Sequence, residues 1–208
     1  MLNELARDLW NVSHHFNLHR DLLKAAPEYL PEINQADFFW GRTIYGLRDL
    51  SVLLLCRLYD QSSMSDPLHL HGWLEVVKKN PQLFDDQKFR DRLKGNEHVE
   101  NLAKSRVFDA KQLDEDLKNT SRDDPIVKRL YKLRCKVYAH KDKDFVVKGR
   151  NLLKETNFKY DEIEKLIARA YEIINRYSML YSAKTWSEQV YGRDDFLRVL
   201  KALKATKT

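Results

Sequence analysis

Three observations predict an all-α fold. The 208 residues include only 6 Gly and 5 Pro, too few turn-formers for a sheet-rich protein. Leu, Lys, Glu, Arg and Ala dominate the long stretches, and these residues lose little side-chain freedom in a helix. Apolar residues in those stretches recur three and four apart, the period of one helix face. The length suits one domain with a sizeable core.

The first helix is expected over 2–26, with Leu5, Leu9, Val12, Phe16 and Leu22 or Leu23 on one face, ended by Pro27 and Pro31. A second helix, 33–61, is apolar nearly all round from Val52 to Leu58 and should therefore be central. The SSMSDP loop at 62–67 offers Asp66 as a cap and Pro67 as the first residue of a third helix reaching about Asn80. Residues 81–121, rich in charge and broken by Pro81 and Gly95, suggest short helices near 84–93 and 108–117. Asp124 and Pro125 open a helix with Ile126, Leu130, Leu133 and Val137 on one face, and that stripe extends to His140. Arg134 lies about 100° round with Val127, Tyr131, Tyr138 and Lys141, so Arg134 and His140 should flank a shared edge. A long helix follows, with Ile163, Leu166, Ile167, Ala170, Ile174, Tyr177 and Tyr181 in one stripe, and a short basic helix near 194–204 is expected at the periphery.

Cys56 and Cys135 stand apart inside expected helices and suggest neither a disulfide framework nor a thiolate metal site. The first residues mix charges with apolar groups, and the longest apolar run, at 51–56, is too short to cross a bilayer. Neither secretion nor a membrane partner is expected, and the cytoplasm is the expected compartment.

Charge is distributed unevenly. The chain has 37 basic and 31 acidic residues, a net charge of +6, yet residues 122–150 alone hold ten basic against four acidic residues. The whole excess therefore resides in one segment, as a polyanion-binding surface would require. Within it, RCKVYAHKD at 134–142 sets Arg134 and His140 six positions apart. Arg is permanently charged and presents a planar fork of donors that suits phosphoryl oxygens, whereas His titrates near neutrality. Together they can cleave RNA without a metal or an organic cofactor. His140 would take the proton from a 2′-hydroxyl, and Arg134 would stabilise charge on the phosphorane oxygens. A 2′,3′-cyclic phosphate is the expected product. Lys141 could bind a neighbouring phosphate, and Lys132 or Lys136 could track the backbone.

An Arg, four to six residues and a His at the end of a core helix resemble the hallmark of HEPN domains, helical bundles common among toxin and antiviral RNases. Here five residues intervene. A second stretch, LLLCRLYDQ at 53–61, resembles the end of an early helix in the abortive-infection, AbiU-type branch, and RCKVYAHKD resembles that branch's later signature. The resemblance spans about residues 5–185. It implies a HEPN-like up-and-down helical bundle with additional short helices over 1–186, leaving 187–208 as a peripheral helix and basic tail. It further implies an endoribonuclease of a prokaryotic toxin or abortive-infection system, acting as a homodimer whose motif helices share one active site. RNA and an antitoxin or defence-system protein are the implied partners. HEPN toxins silenced by a nucleotidyltransferase carry Tyr two positions after the His, where this chain has Asp142, which could instead pair with His140 or Arg134.

Each candidate residue also has a structural reading. His140 could simply close a helix, where its cation suits the dipole. Arg134 could pair at the surface with Asp123 or Asp142, for about 0–1 kcal/mol. Arg57 and Asp60, spaced i, i+3, could pair with each other or support the site. Tyr131 and Tyr138 suit a dimer seam or base stacking. His15 and His19 lack a third metal ligand nearby and are read as exposed, and His69 and His71 as partnerless. Trp40, Trp73, Phe38 and Phe39 are read as core or interface aromatics. A non-catalytic RNA-binding protein and a protein-interaction module remain the competing functions.

Overall fold

The computed structural model describes residues 1–61, 68–135, 158–189 and 192–206. Helix α1 (Leu2–Ala25) and helix α3 (Asp37–Leu58) are joined by a short helix α2 (Leu30–Ile33) and a 3₁₀ turn. Pro31 sits in the first turn of α2, where its missing N–H costs nothing. His19 meets Ile44 and Asp8 meets Arg57, so α1 and α3 run antiparallel. Leu5, Leu9, Val12 and Phe16 of α1 are all buried, as their spacing predicts.

Helix α4 (Leu70–Lys79) is capped by His69, whose Nδ1 accepts the Gly72 N–H at 3.0 Å. Asp66, the cap expected from the sequence, and Pro67 after it lie outside the described residues. His69 and His71 are not partnerless. His71 Nδ1 donates to the Leu117 carbonyl at 3.1 Å and so ties α4 to α7 (Ala110–Thr120). Between these helices come a 3₁₀ turn at Pro81–Phe84, α5 (Asp86–Arg92) and α6 (Val99–Lys104), the last not anticipated. Helix α8 (Pro125–Leu133) and helix α9 (Tyr160–Ser182) complete the main core, and α10 (Asp195–Ala205) follows. No strand occurs among the described residues, and no helix among them is long and apolar enough to cross a membrane.

One hydrophobic cluster joins α1, α3, α4, α7, α8 and α9 around Phe16, Leu55, Leu130, Leu166 and Tyr177. A second holds Leu22, Tyr29, Ile33, Trp40 and Ile44, and Leu200 of α10 is fully buried in it. Arg193 binds both carboxylate oxygens of Asp21, securing the entry to α10 on α1. Helix α3 is central at its C-terminal half but not buried all round. Phe38 is 75% exposed, Phe39 59%, Leu50 41% and Leu53 42%, because α1, α8 and α9 cover only its opposite face.

Two buried polar contacts fix how the helices meet. Asp116 of α7 accepts from Gln112 at 3.1 Å, from the Tyr177 hydroxyl at 2.8 Å and from Arg176 at 2.5 Å, so its charge is fully partnered. Burial, followed by the hydrogen bond to Asp116, pushes the Tyr177 phenol up. His19, read as exposed, is fully buried. The Ile44 carbonyl can only accept, so Nδ1 donates to it at 2.8 Å and Nε2 accepts from the Tyr160 hydroxyl at 3.0 Å.

Burial holds the His19 imidazolium pKa below the ordinary value of 6.5. The unfolded chain then binds a proton that the folded chain does not, so stability is complete above 6.5 and declines as pH falls below it. His14, lowered for the same reason, contributes with the same sign. The urea midpoint should fall between pH 7 and pH 5, and His19→Asn should show a shallower fall from a lower starting stability.

Candidate functional site

The chain leaves α3 at Leu58 with Tyr59 as its cap. The Tyr59 ring is buried and its hydroxyl donates to the Leu166 carbonyl at 2.8 Å, pinning the end of α3 to α9. This anchor sets Asp60, itself only 7% exposed, against α8.

Helix α8 is positioned from its start. Asp124 caps it by accepting from the Ile126 and Val127 N–H groups at 2.9 and 3.0 Å, with Pro125 at the first position. The same carboxylate meets Arg169 of α9 at 3.1 Å. Glu162 caps α9 by accepting the Lys159 N–H at 3.0 Å and also binds Arg129 of α8, so each helix start is tied to the other helix. Val127, Leu130 and Leu133 form the buried face, and the Cys56 thiol points at the Leu130 carbonyl at 3.9 Å. After Leu133 the backbone widens into a π turn at Arg134 and Cys135, a local feature often found at functional sites.

These two ends meet in an ion pair. Arg134 Nη1 donates to Asp60 Oδ1 at 3.0 Å, with the Arg134 side chain 34% exposed. Cys56, Tyr59, Val127, Leu130 and Tyr131 surround the pair, and the space left among them is about 10 Å³, room for no more than one water. The inner side of Arg134 is therefore filled by protein, and any ligand must approach from its exposed side. Burial raises the Cys56 thiol to about 12; Asp60 acts in the same direction and Arg134 against it. A thiol held protonated in this way is no nucleophile at neutral pH.

The partners differ from those the sequence suggested. Arg134 pairs with Asp60 rather than Asp123. Arg57 and Asp60 do not pair with each other: Arg57 reaches Asp8 at 3.1 Å from an exposed position. Lys132 is exposed on α8. His140, Lys136, Lys141, Asp142 and Tyr138 lie outside the described residues, and so does the expected shared edge of Arg134 and His140.

Two residues that sequence reasoning passed over adjoin the pair. Gln61 directly follows Asp60, and its side-chain amide donates to the Thr120 carbonyl at 2.9 Å. Arg122 binds the Gln61 carbonyl and lies over the Tyr131 ring, 3.9 Å from its centroid. Only the membership of Gln61 in LLLCRLYDQ and of Arg122 in the basic segment could have flagged them. Among the described residues no group of three His, Cys, Asp or Glu side chains could hold a metal ion.

The stretches LLLCRLYDQ and RCKVYAHKD thus meet, through Asp60 and Arg134, at the junction of α3 and α8. The chain matches the HEPN family described as AbiU2 over residues 2–199. It belongs to that family. No curated protein matches the chain, and no solved structure does. The match runs beyond the 5–185 suggested by resemblance and into α10, whose Leu200 is buried in the second core cluster. An AbiU2 HEPN domain is an all-α, abortive-infection type of domain, and HEPN domains are often RNases.

A hydrogen bond between charged partners contributes roughly 1.5–3 kcal/mol when sheltered and less where water screens it. In a double-mutant cycle of Asp60→Ala and Arg134→Ala, urea unfolding should give a coupling energy of about 1–2 kcal/mol. Each single variant should lose stability, and the double variant should lose less than the sum.

Proposed function

We propose that this AbiU2 HEPN domain is a metal-independent endoribonuclease of a prokaryotic toxin or antiphage abortive-infection system, with Arg134 and His140 as its catalytic pair. The observation that supports this most is the seating of Arg134. Its guanidinium is half-buried and oriented by the buried Asp60 carboxylate, the arrangement needed to hold a cation in place before charge develops. Of the five guanidinium N–H donors, those of Nε and Nη2 have no acceptor among the described residues, so an edge is left for phosphoryl oxygens.

In the proposed reaction His140 removes the proton from a ribose 2′-hydroxyl, and the resulting oxygen attacks the adjacent phosphorus. Arg134 binds the equatorial oxygens as they gain charge, and the bond from phosphorus to the 5′-oxygen breaks as that oxygen takes up a proton from water, giving a 2′,3′-cyclic phosphate and a 5′-hydroxyl end. Proton transfer and electrostatic stabilisation can each contribute on the order of 10²–10³-fold. Lys132, Lys136 and Lys141 would hold flanking phosphates, Asp142 would orient His140 or Arg134, and Asp60 and Arg57 would support the site. The working unit would be a cytoplasmic homodimer whose two motif helices share one groove, with an antitoxin or defence-system protein as a further partner.

A second reading has one observation in its favour. Asp60 already neutralises Arg134, as it would if the pair were purely structural and the domain only bound RNA or protein. Turnover separates the two. Purified protein should cleave RNA in excess EDTA and leave cyclic phosphate ends, while Arg134→Ala and His140→Ala should each lose about 10²-fold or more in rate. Inert wild type on diverse RNAs, or variants as active as wild type, would falsify the enzymatic reading. Light scattering should report a dimer, and mixing the two variants should restore part of the activity if residues from both chains act in one site.

A further inference from the structure

We propose that Arg122, stacked on Tyr131, is a phosphate-binding subsite for the RNA strand beside Arg134. This inference rests on the ribonucleic acid substrate proposed above, and it concerns a residue outside the Arg134 and His140 pair. Arg122 stands in the turn between α7 and α8, just after the last residues of α7. Its backbone N–H donates to Gln61 Oε1 at 3.3 Å, and its Nη2 donates to the Gln61 carbonyl. The Gln61 amide is held in turn by the Thr120 carbonyl at 2.9 Å. The guanidinium plane rests on the Tyr131 ring, with its central carbon 3.9 Å from the ring centroid. Backbone, one nitrogen and one face of this side chain are thus fixed before any ligand arrives.

Its charge is what sets it apart. Arg57, Arg129, Arg134, Arg169 and Arg176 each face a carboxylate. Arg122 has no carboxylate partner among the described residues; its contacts are a carbonyl, an amide oxygen and a ring. Its Nε is buried without a hydrogen-bond acceptor among the described residues and Nη2 is taken by Gln61, so a ligand from solvent must use Nη1. Stacking leaves the edge of a guanidinium free to bind oxygens in its own plane. Nη1 has no partner among the described residues, so the outer edge can grip one phosphate.

The position is what a strand would need. Tyr131, in the last turn of α8, and Arg134, the cap that follows it, are three residues apart. The Tyr131 phenol is pushed up first by its hydrogen bond to Cys135, with Arg122 and Arg134 both opposing, so both cations act on the same ring. An RNA strand whose scissile phosphate lies on Arg134 would carry a neighbouring phosphate to Arg122, and that contact would position the strand and contribute to KM rather than to kcat.

The test uses the full chain and a short single-stranded RNA with every 2′-hydroxyl methylated, which binds but cannot be cleaved. Affinity is measured by fluorescence anisotropy across 50–200 mM salt. Arg122→Gln should bind about ten- to hundredfold more weakly, and the slope of log affinity against log salt should become shallower by about 0.7, the loss of one phosphate contact on a single strand. Arg122→Lys should keep the slope and lose part of the affinity, because an ammonium neither stacks nor forks. Arg122→Gln with wild-type affinity and slope overturns the proposal, and so does wild type that fails to bind the oligonucleotide at 50 mM salt. If Arg122→Gln does not fold, Arg122→Lys decides, and wild-type affinity in that variant is the contrary result. Wild type that binds the oligonucleotide with Arg122 dependence but cleaves no RNA removes the ribonuclease reading and leaves this subsite intact.

Discussion

The ion pair between Asp60 and Arg134 is the interaction around which the candidate site is built, because neither partner could stay where it is without the other. A carboxylate as buried as Asp60 is tolerated only beside a cation. Arg134, the cap that follows a nine-residue helix, is anchored by that carboxylate at 3.0 Å. Everything nearby serves that meeting. Tyr59 fastens the end of α3 to α9 and so fixes the backbone that carries Asp60. Asp124, Arg169, Glu162 and Arg129 fasten the starts of α8 and α9 to each other and so fix the helix that delivers Arg134. The apolar packing of Cys56, Val127 and Leu130 then leaves little room for water on the inner side of the pair, strengthening its attraction.

That arrangement divides labour between fold and chemistry. The carboxylates of the core and its edges are consumed in holding helices together, as Asp116 does for α7 and α9 and Asp21 for α10. Segment 122–150 holds ten basic against four acidic residues, and of its described cations Arg129 and Arg134 draw their carboxylate partners, Glu162 and Asp60, from other helices. Among the described residues the space beside the Arg134 guanidinium is only about 10 Å³, too small to enclose a substrate. A long polyanion lying along the surface suits such a shape better than a small ligand does.

Much of this was legible in the chain. Amphipathic spacing gave α1, α3 and α9 nearly to their ends, because a sustained 3.6-residue pattern survives tertiary packing. The cap at Asp124 was readable for a similar reason: Asp followed by Pro satisfies two local requirements at once. Contacts across long separations were not readable. Asp60 and Arg134 are 74 residues apart, and no spacing rule links them, so the nearer Arg57 looked like the natural partner. Histidine was misjudged in the same way. His19 looked like a polar residue on an amphipathic helix, yet Ile44 and Tyr160, distant in sequence, supply both of the bonds that let it be buried. The apolar run at the end of α3 suggested a helix buried on every side, whereas Leu50 and Leu53 face outward with Phe39 on an uncovered surface. The family signature, by contrast, was visible because both of its stretches are short and contiguous, and the match over 2–199 agrees with it.

The central claim is that Asp60 orients Arg134 for catalysis and does more than hold two helices together. Turnover of Asp60→Asn, measured with saturating RNA at a temperature well below its melting point, tests this most directly. Asparagine keeps an oxygen for Nη1 but removes the charge that fixes the guanidinium. The account predicts a kcat lowered by about tenfold or more, with RNA affinity within about twofold of wild type. A kcat equal to that of wild type, with only the melting temperature reduced, would show that the pair is structural and would contradict the account.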